Sequence, residues 1–126
     1  MNPTRLLIVD DHEDVREALE SRLDAAPEID VIGCTGCWET GLDEALEMRP
    51  DVVLLETKRA DGQGLGALKC LVEGCPGVDV IVLTSYADAE ERATARSLGA
   101  VRYLLKEIDT AQLLSEIRSV AWQKRP

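Results

Sequence analysis

No apolar run in this chain approaches the roughly 18 residues that a membrane span requires, and no charged-then-apolar leader opens it. Both absences lead to the expectation of a cytoplasmic protein without a membrane partner. Positive charge is scarce as well: 14 Lys and Arg stand against 24 Asp and Glu, a formal net charge of −10. Such a surface repels phosphate backbones and anionic membranes, which argues against direct nucleic acid binding by this segment and in favour of protein partners. Cysteine is too sparse and scattered for a disulfide scaffold, with Cys34, Cys37, Cys70 and Cys75 spread through 126 residues. A chain of this length builds its own core, so the thiols are expected to be reduced.

What is present reads as one globular domain spanning 1–126, with 45% hydrophobic and 30% charged residues and no repeats, linkers or low-complexity tracts. LLIVDDHED from Leu6 is a short buried strand ending at Asp10 and Asp11. Val15, Ala18, Leu19 and Leu23 then recur at helical spacing, up to Pro27. A weaker strand runs through Ile29, Val31 and Ile32 to Gly33, followed by a helix with Leu42, Ala45 and Leu46 on one face that stops before Pro50. The third strand, Val52 to Leu55, stops at Glu56, and a polar, glycine-containing loop follows at once. Leu65, Leu68, Leu71 and Val72 line the next helix, closed by the turn around Pro76.

Val78 to Leu83 is a fourth buried strand, ending at Thr84 and Ser85. The helix after it is alanine-rich (Ala89, Ala93, Ala95) with little apolar bulk, so it is expected to be loosely held, with Gly99 as its cap. Val101 to Leu105 is the fifth strand, ending at Lys106. Asp109 and Gln112 resemble a capping box for the last helix, whose core face is Leu113, Ile117, Val120 and Ala121. Five strands alternating with five helices predict a doubly wound α/β domain with right-handed crossovers.

In open parallel sheets, ligands bind outside the carboxyl ends of the strands. Here that edge receives Asp10, Asp11, Glu56, Thr84 and Lys106. Crowded carboxylates need compensation from a cation or a raised pKa. Paired aspartates with a further carboxylate suit Mg²⁺, Lys106 adds one positive charge, and Thr84 offers a hydroxyl to a phosphoryl oxygen. These are the parts of a phosphoryl-acceptor site, where catalysis is mostly positioning and charge neutralisation.

The motifs LIVDDHEDVR, PDVVLLE, VIVLTSYAD and GAVRYLLKE, in that order, resemble the receiver domain of two-component response regulators over nearly the whole chain. DDH and YLLK are most similar to the subfamily often fused to a C-terminal helix-turn-helix. The resemblance implies a flavodoxin-like five-stranded parallel sheet of order 2-1-3-4-5. It implies Mg²⁺ binding by Asp10 and Asp11 with Glu56, Thr84 as switch hydroxyl, Tyr103 as switch aromatic and Lys106 as the phosphate-pairing lysine. It also implies partner or homodimer contacts through the fourth helix, fifth strand and fifth helix, a sensor kinase upstream, and an output domain beyond this segment.

Glu56 stands where the family places its phospho-accepting aspartate. One added methylene displaces the reactive oxygen, and an ångström of misplacement costs about a hundredfold in rate. Thr57, Arg59, Ala60 and Asp61 have replaced the usual Met-Pro-Gly-like run as well, while Gly64 remains. The expectation is an atypical, phosphorylation-independent receiver with no catalytic residue and no required cofactor, in which Glu56 either reaches Lys106 as a built-in charge or fills the pocket inertly. A conventional Mg²⁺-dependent phospho-acceptor is the alternative.

Other residues carry a bland reading beside a sharper one. His12 is read as an exposed helix-start residue. Lys58 and Arg59 are either solvated charges or neutralise the pocket. Cys34 and Cys37 form a Cys-x-x-Cys pair, read as small buried side chains rather than as a redox or zinc site. A flavin-binding alternative is disfavoured because the loop after the first strand holds acids where a flavin phosphate needs hydroxyls and glycines. Trp122 lies opposite the core face of the last helix and is a candidate partner contact; Trp38 is less informative.

Overall fold

The computed structural model describes residues 2–123. Strands and helices alternate throughout: β1 (Thr4–Val9), α1 (Glu13–Asp24), β2 (Ile29–Thr35), α2 (Trp38–Met48), β3 (Val52–Leu55), α3 (Gly64–Gly74), β4 (Asp79–Thr84), α4 (Ala89–Leu98), β5 (Arg102–Leu105) and α5 (Thr110–Gln123). The strands form one parallel sheet of order β2-β1-β3-β4-β5. This is the flavodoxin-like arrangement that the resemblance implied.

The inner strands are apolar on both faces, as strands covered by helices on each side must be. Successive residues sort into two layers. Leu7, Val9, Val53, Leu55, Val80 and Val82 face α2, α3 and α4, meeting Ala45, Ala67, Leu68, Leu71 and Ala95. Leu6, Ile8, Val52, Leu54, Ile81 and Leu83 face α1 and α5, meeting Leu19, Leu23, Leu113, Ile117 and Val120. Burying each of the larger side chains contributes about 1.5–3 kcal/mol before entropy is counted.

Two helix faces differ from the pattern read in the sequence. Ala18 is exposed, since Leu19 and Leu23 carry the contact of α1 with the sheet. Leu46 is 47% exposed, because α2 turns its smallest residues inward. A Cβ on Gly41 would lie 2.8 Å from Val9 Cγ2, an approach that only Gly41 and Ala45 permit. Strand β2 also continues past Gly33 to Thr35, with Leu7 and Glu44 packed where a Gly33 side chain would be. A register shift opposite Leu6 and Leu7 leaves Ile32 out of the ladder.

Helix α4 is well capped but weakly buried. Asp88 accepts hydrogen bonds from Glu90 N at 3.0 Å and Glu91 N at 3.2 Å, and Gly99 closes the helix at φ +113. Its only buried residue is Ala95, as its alanine-rich sequence led one to expect. Asp109 accepts from Gln112 N at 2.8 Å at the start of α5. No helix among the described residues is long and apolar enough to cross a membrane.

Candidate functional site at the carboxyl edge of the sheet

Hydrogen bonds carry the ladder one residue beyond the strands. Asp10 N donates to Thr35 O at 3.0 Å, Glu56 N to Val9 O at 3.0 Å, and Lys106 N to Thr84 O at 2.8 Å. Alternation then fixes direction. Asp10 follows Leu6 and Ile8, Glu56 follows Val52 and Leu54, and Lys106 follows Leu104, so all three continue the rows that face α1 and α5.

They meet there. Lys106 Nζ lies 2.8 Å from Glu56 Oε1 and 2.5 Å from Asp10 Oδ2. Glu56 is 1% exposed and Asp10 2%, so this single ammonium compensates two carboxylates that water does not reach. The backbone completes the coordination of Glu56, with Lys58 N donating to Oε2 at 2.9 Å and Ser85 N to Oε1 at 3.3 Å. A cavity of ≈ 390 Å³, lined by Val15, Leu19, Arg22, Ser85 and Lys106, opens beside the ammonium.

Asp11 points the other way, its Oδ2 accepting from Ala60 N at 2.8 Å. His12 is exposed at the start of α1, as read from the sequence, yet its Nδ1 is 3.2 Å from both Asp10 Oδ1 and Asp11 Oδ1. One ligand atom from each of Asp10, Asp11 and His12 therefore falls within a 4.8 Å group. Glu56, the expected third carboxylate, is instead turned to Lys106. Asp10 Oδ2 is met by the Lys106 ammonium and Asp11 Oδ1 by His12 Nδ1, both oxygens being otherwise buried. Oxygens of this kind fit Mg²⁺.

The opposite parity builds a second cluster. Thr84 is fully buried, and its Oγ1 accepts from Tyr86 N at 3.4 Å. Tyr103 is buried under α4, with its hydroxyl donating to Glu91 Oε1 at 3.2 Å and the Arg92 guanidinium 5.5 Å from its ring centre. Burial, and then the Glu91 carboxylate, raise the Tyr103 phenol above its ordinary range. Thr57 Oγ1 donates to the same Glu91 oxygen at 2.5 Å.

Lys58 and Arg59 do not neutralise the Glu56 pocket. Lys58 Nζ reaches Glu91 Oε2 at 2.8 Å and Asp88 Oδ2 at 3.4 Å, pairs that raise its pKa. The Arg59 side chain is buried, with Nη2 on Gly36 O and Nε 3.3 Å from Asp61 Oδ2. Both lie beyond the end of β3, where Lys58 is long enough to reach the acids at the start of α4 while Arg59 turns to Gly36 and Asp61. Gly64 is required where it stands, because any Cβ there would collide with the Thr57 backbone carbonyl.

Glu91 was missed in the sequence. Its only trace was the Asp88-Ala-Glu-Glu start of α4, which puts a carboxylate three residues past a cap and near the strand ends. The cysteines are all free. Cys34 Sγ points to Arg16 O and Cys37 Sγ to Glu39, and burial pushes the Cys34 thiol up, away from the thiolate that redox or zinc chemistry uses. Trp38 Nε1 donates to Gln63 at 3.1 Å. Trp122 is 68% exposed and lines a cavity of ≈ 490 Å³ with Pro3, Pro27 and Arg118 at the far end of the sheet.

Residues 6–118 match the model of the response regulator receiver domain. The chain belongs to that family. This receiver is 35% identical over 117 residues to the transcriptional regulatory protein LiaR of Bacillus subtilis, covering 93% of this chain and 56% of that protein. It is 34% identical over 116 residues to the DNA-binding transcriptional activator DevR/DosR of Mycobacterium tuberculosis, covering 92% and 54%. These relatives are of the LuxR/NarL type, the subfamily that DDH and YLLK resembled. The chain spans about half the length of the curated relatives it matches. Its fold is similar to the signal receiver domain of the response regulator NarL from Mycobacterium tuberculosis, with a TM-score of 0.89 at 20% identity, covering 97% of this chain and 98% of that one.

Proposed function

We propose that this receiver is the input half of a transcriptional regulator in two-component signalling, and that its state does not depend on phosphoryl transfer to the acid at the end of β3. The observation that carries this reading is the engagement of Glu56. Both of its oxygens are held, by Lys106 at 2.8 Å and by the Ser85 and Lys58 amides, and the side chain is itself buried. Acyl phosphate formation needs a carboxylate oxygen free to stand in line with the donor phosphorus. Glu56 instead supplies a fixed negative charge that Lys106 already answers.

Asp10 and Asp11 are the residues that would hold Mg²⁺, which when bound supplies neutralisation of phosphoryl charge, while Glu56 stays engaged with Lys106. Thr84, Tyr103 and Lys106 are assigned as the switch hydroxyl, the switch aromatic and the phosphate-pairing cation. No residue is assigned a catalytic role. The partners are proteins, reached through α4, β5 and α5, including a second copy of the chain; Trp122 is a contact on the last of these elements. The regulatory output belongs to the half of the relatives' length that this chain does not span.

One observation favours the conventional phospho-acceptor instead: ligand atoms of Asp10, Asp11 and His12 gather within 4.8 Å of one another. Incubation with acetyl phosphate and Mg²⁺ followed by intact mass measurement separates the readings. An unchanged mass is expected, and one added phosphoryl group overturns the proposal in favour of the alternative.

A further inference from the structure

We infer that Glu91 is a positioning residue that fastens α4 and Tyr103 to the loop following Glu56. Four contacts from that loop and β5 converge on the first turn of α4. Thr57 Oγ1 and Tyr103 Oη share Glu91 Oε1, at 2.5 and 3.2 Å. Lys58 Nζ sits 2.8 Å from Glu91 Oε2 and 3.4 Å from Asp88 Oδ2. The Glu91 side chain is 10% exposed and Thr57 and Tyr103 are buried, so water competes little for the hydroxyl bonds.

The layer of the core under α4 cannot substitute for these contacts. Ala95 is its only buried residue, with Leu98 partly buried. The helix is therefore located chiefly by its polar first turn. Thr57 and Lys58 directly follow Glu56, and the Lys58 amide bonds Glu56 Oε2 at 2.9 Å. A continuous chain of contacts thus runs from Lys106 through Glu56, Lys58 and Glu91 to the Tyr103 hydroxyl. The surface presented by α4 and β5 is held in one arrangement by groups of this chain alone. The Glu91 contacts themselves do not involve the Glu56 carboxylate.

Amide hydrogen exchange followed by NMR on the full chain tests it, with the amides of α2 as internal control. Glu91→Ala is expected to speed exchange across α4 at least tenfold while α2 is unchanged. Glu91→Gln keeps an acceptor for Thr57 and Tyr103 and loses only the ion pair with the partly exposed Lys58, so α4 should stay within about threefold of the parent. Thr57→Val should speed α4 severalfold, and the Thr57→Val/Glu91→Ala double variant should be no faster than Glu91→Ala alone. Exchange in Glu91→Ala within twofold of the parent, Glu91→Gln as fast as Glu91→Ala, or full additivity of the double variant would each overturn the latch. Should Glu91→Ala fail to fold, Thr57→Val and Tyr103→Phe read the same bonds from the other side, and unchanged α4 exchange in both overturns it equally.

Discussion

Lys106 Nζ lies 2.8 Å from Glu56 Oε1 at the buried end of β3, so the ammonium and the acid form the centre of the site. Removing the cation leaves Glu56 and Asp10 facing one another without compensation. Lys106→Met is expected to lower stability by about 3–5 kcal/mol, seen as a lower urea midpoint. Adding Glu56→Gln to that variant removes one of the two charges and should recover part of the loss. A double variant as unstable as Lys106→Met alone would show that charge is not the cause.

The length of the acid is the second testable point. Glu56→Asp withdraws the carboxylate from Lys106 by one methylene and frees it for in-line attack. With acetyl phosphate and Mg²⁺, this variant is expected to gain one phosphoryl mass while the parent gains none. If neither is modified, the closed loop from Thr57 to Asp61, and not the acid's reach, is what blocks transfer.

Stability should fall on the alkaline side. Burial, followed by the Glu91 carboxylate, raises Tyr103 from its ordinary 10.0, and burial raises Cys75 from 9.0. A group raised on folding stabilises the native state fully below its unfolded value, and that contribution is lost as pH climbs through the folded value. The urea midpoint is therefore expected to decline from about pH 9 upward. In a Tyr86→Phe background, absorbance titration should place the Tyr103 step lower in Glu91→Gln than in its parent, since one of the raising charges is gone.

Two glycines of α3 should respond in opposite senses. A Cβ on Gly64 meets the Thr57 backbone, and Gly64→Ala is expected to cost roughly 3 kcal/mol or more because backbone must move. Nothing lies within 4 Å of a Cβ on Gly66. Gly66→Ala, in the first turn of α3, should stabilise by about 0.5 kcal/mol. Thermal melts of the pair check both signs.

Trp122 should be separable from the fold. It is 68% exposed, so Trp122→Ala is expected to leave stability within about 0.5 kcal/mol. Its effect should appear in association, measured by sedimentation of the parent and the variant. Equal self-association of the two would remove Trp122 from the homodimer surface.

The sheet and the meeting of Asp10, Glu56 and Lys106 were legible because each apolar run stops at a polar residue and a parallel sheet aligns those stops. What escaped was anything that depends on how closely two elements approach. Leu46 looked like a core residue until Gly41 and Ala45 brought α2 against Val9. Lys58 looked like a neighbour of Glu56 because it is near in sequence, but its side chain answers Asp88 and Glu91, at the start of α4. Glu91 carried no signal beyond its place in the acidic first turn of α4, and its role exists only once Thr57 and Tyr103 have been folded to either side of it.

The sparse apolar contact beneath α4 also has a thermal consequence. Burial of apolar surface is what gives folding its large heat-capacity change and weakens it in the cold. A helix seated mainly by hydroxyl, carboxylate and ammonium groups contributes little to that term. Its docking should loosen on warming before the two layers of the core melt, and cooling should not release it.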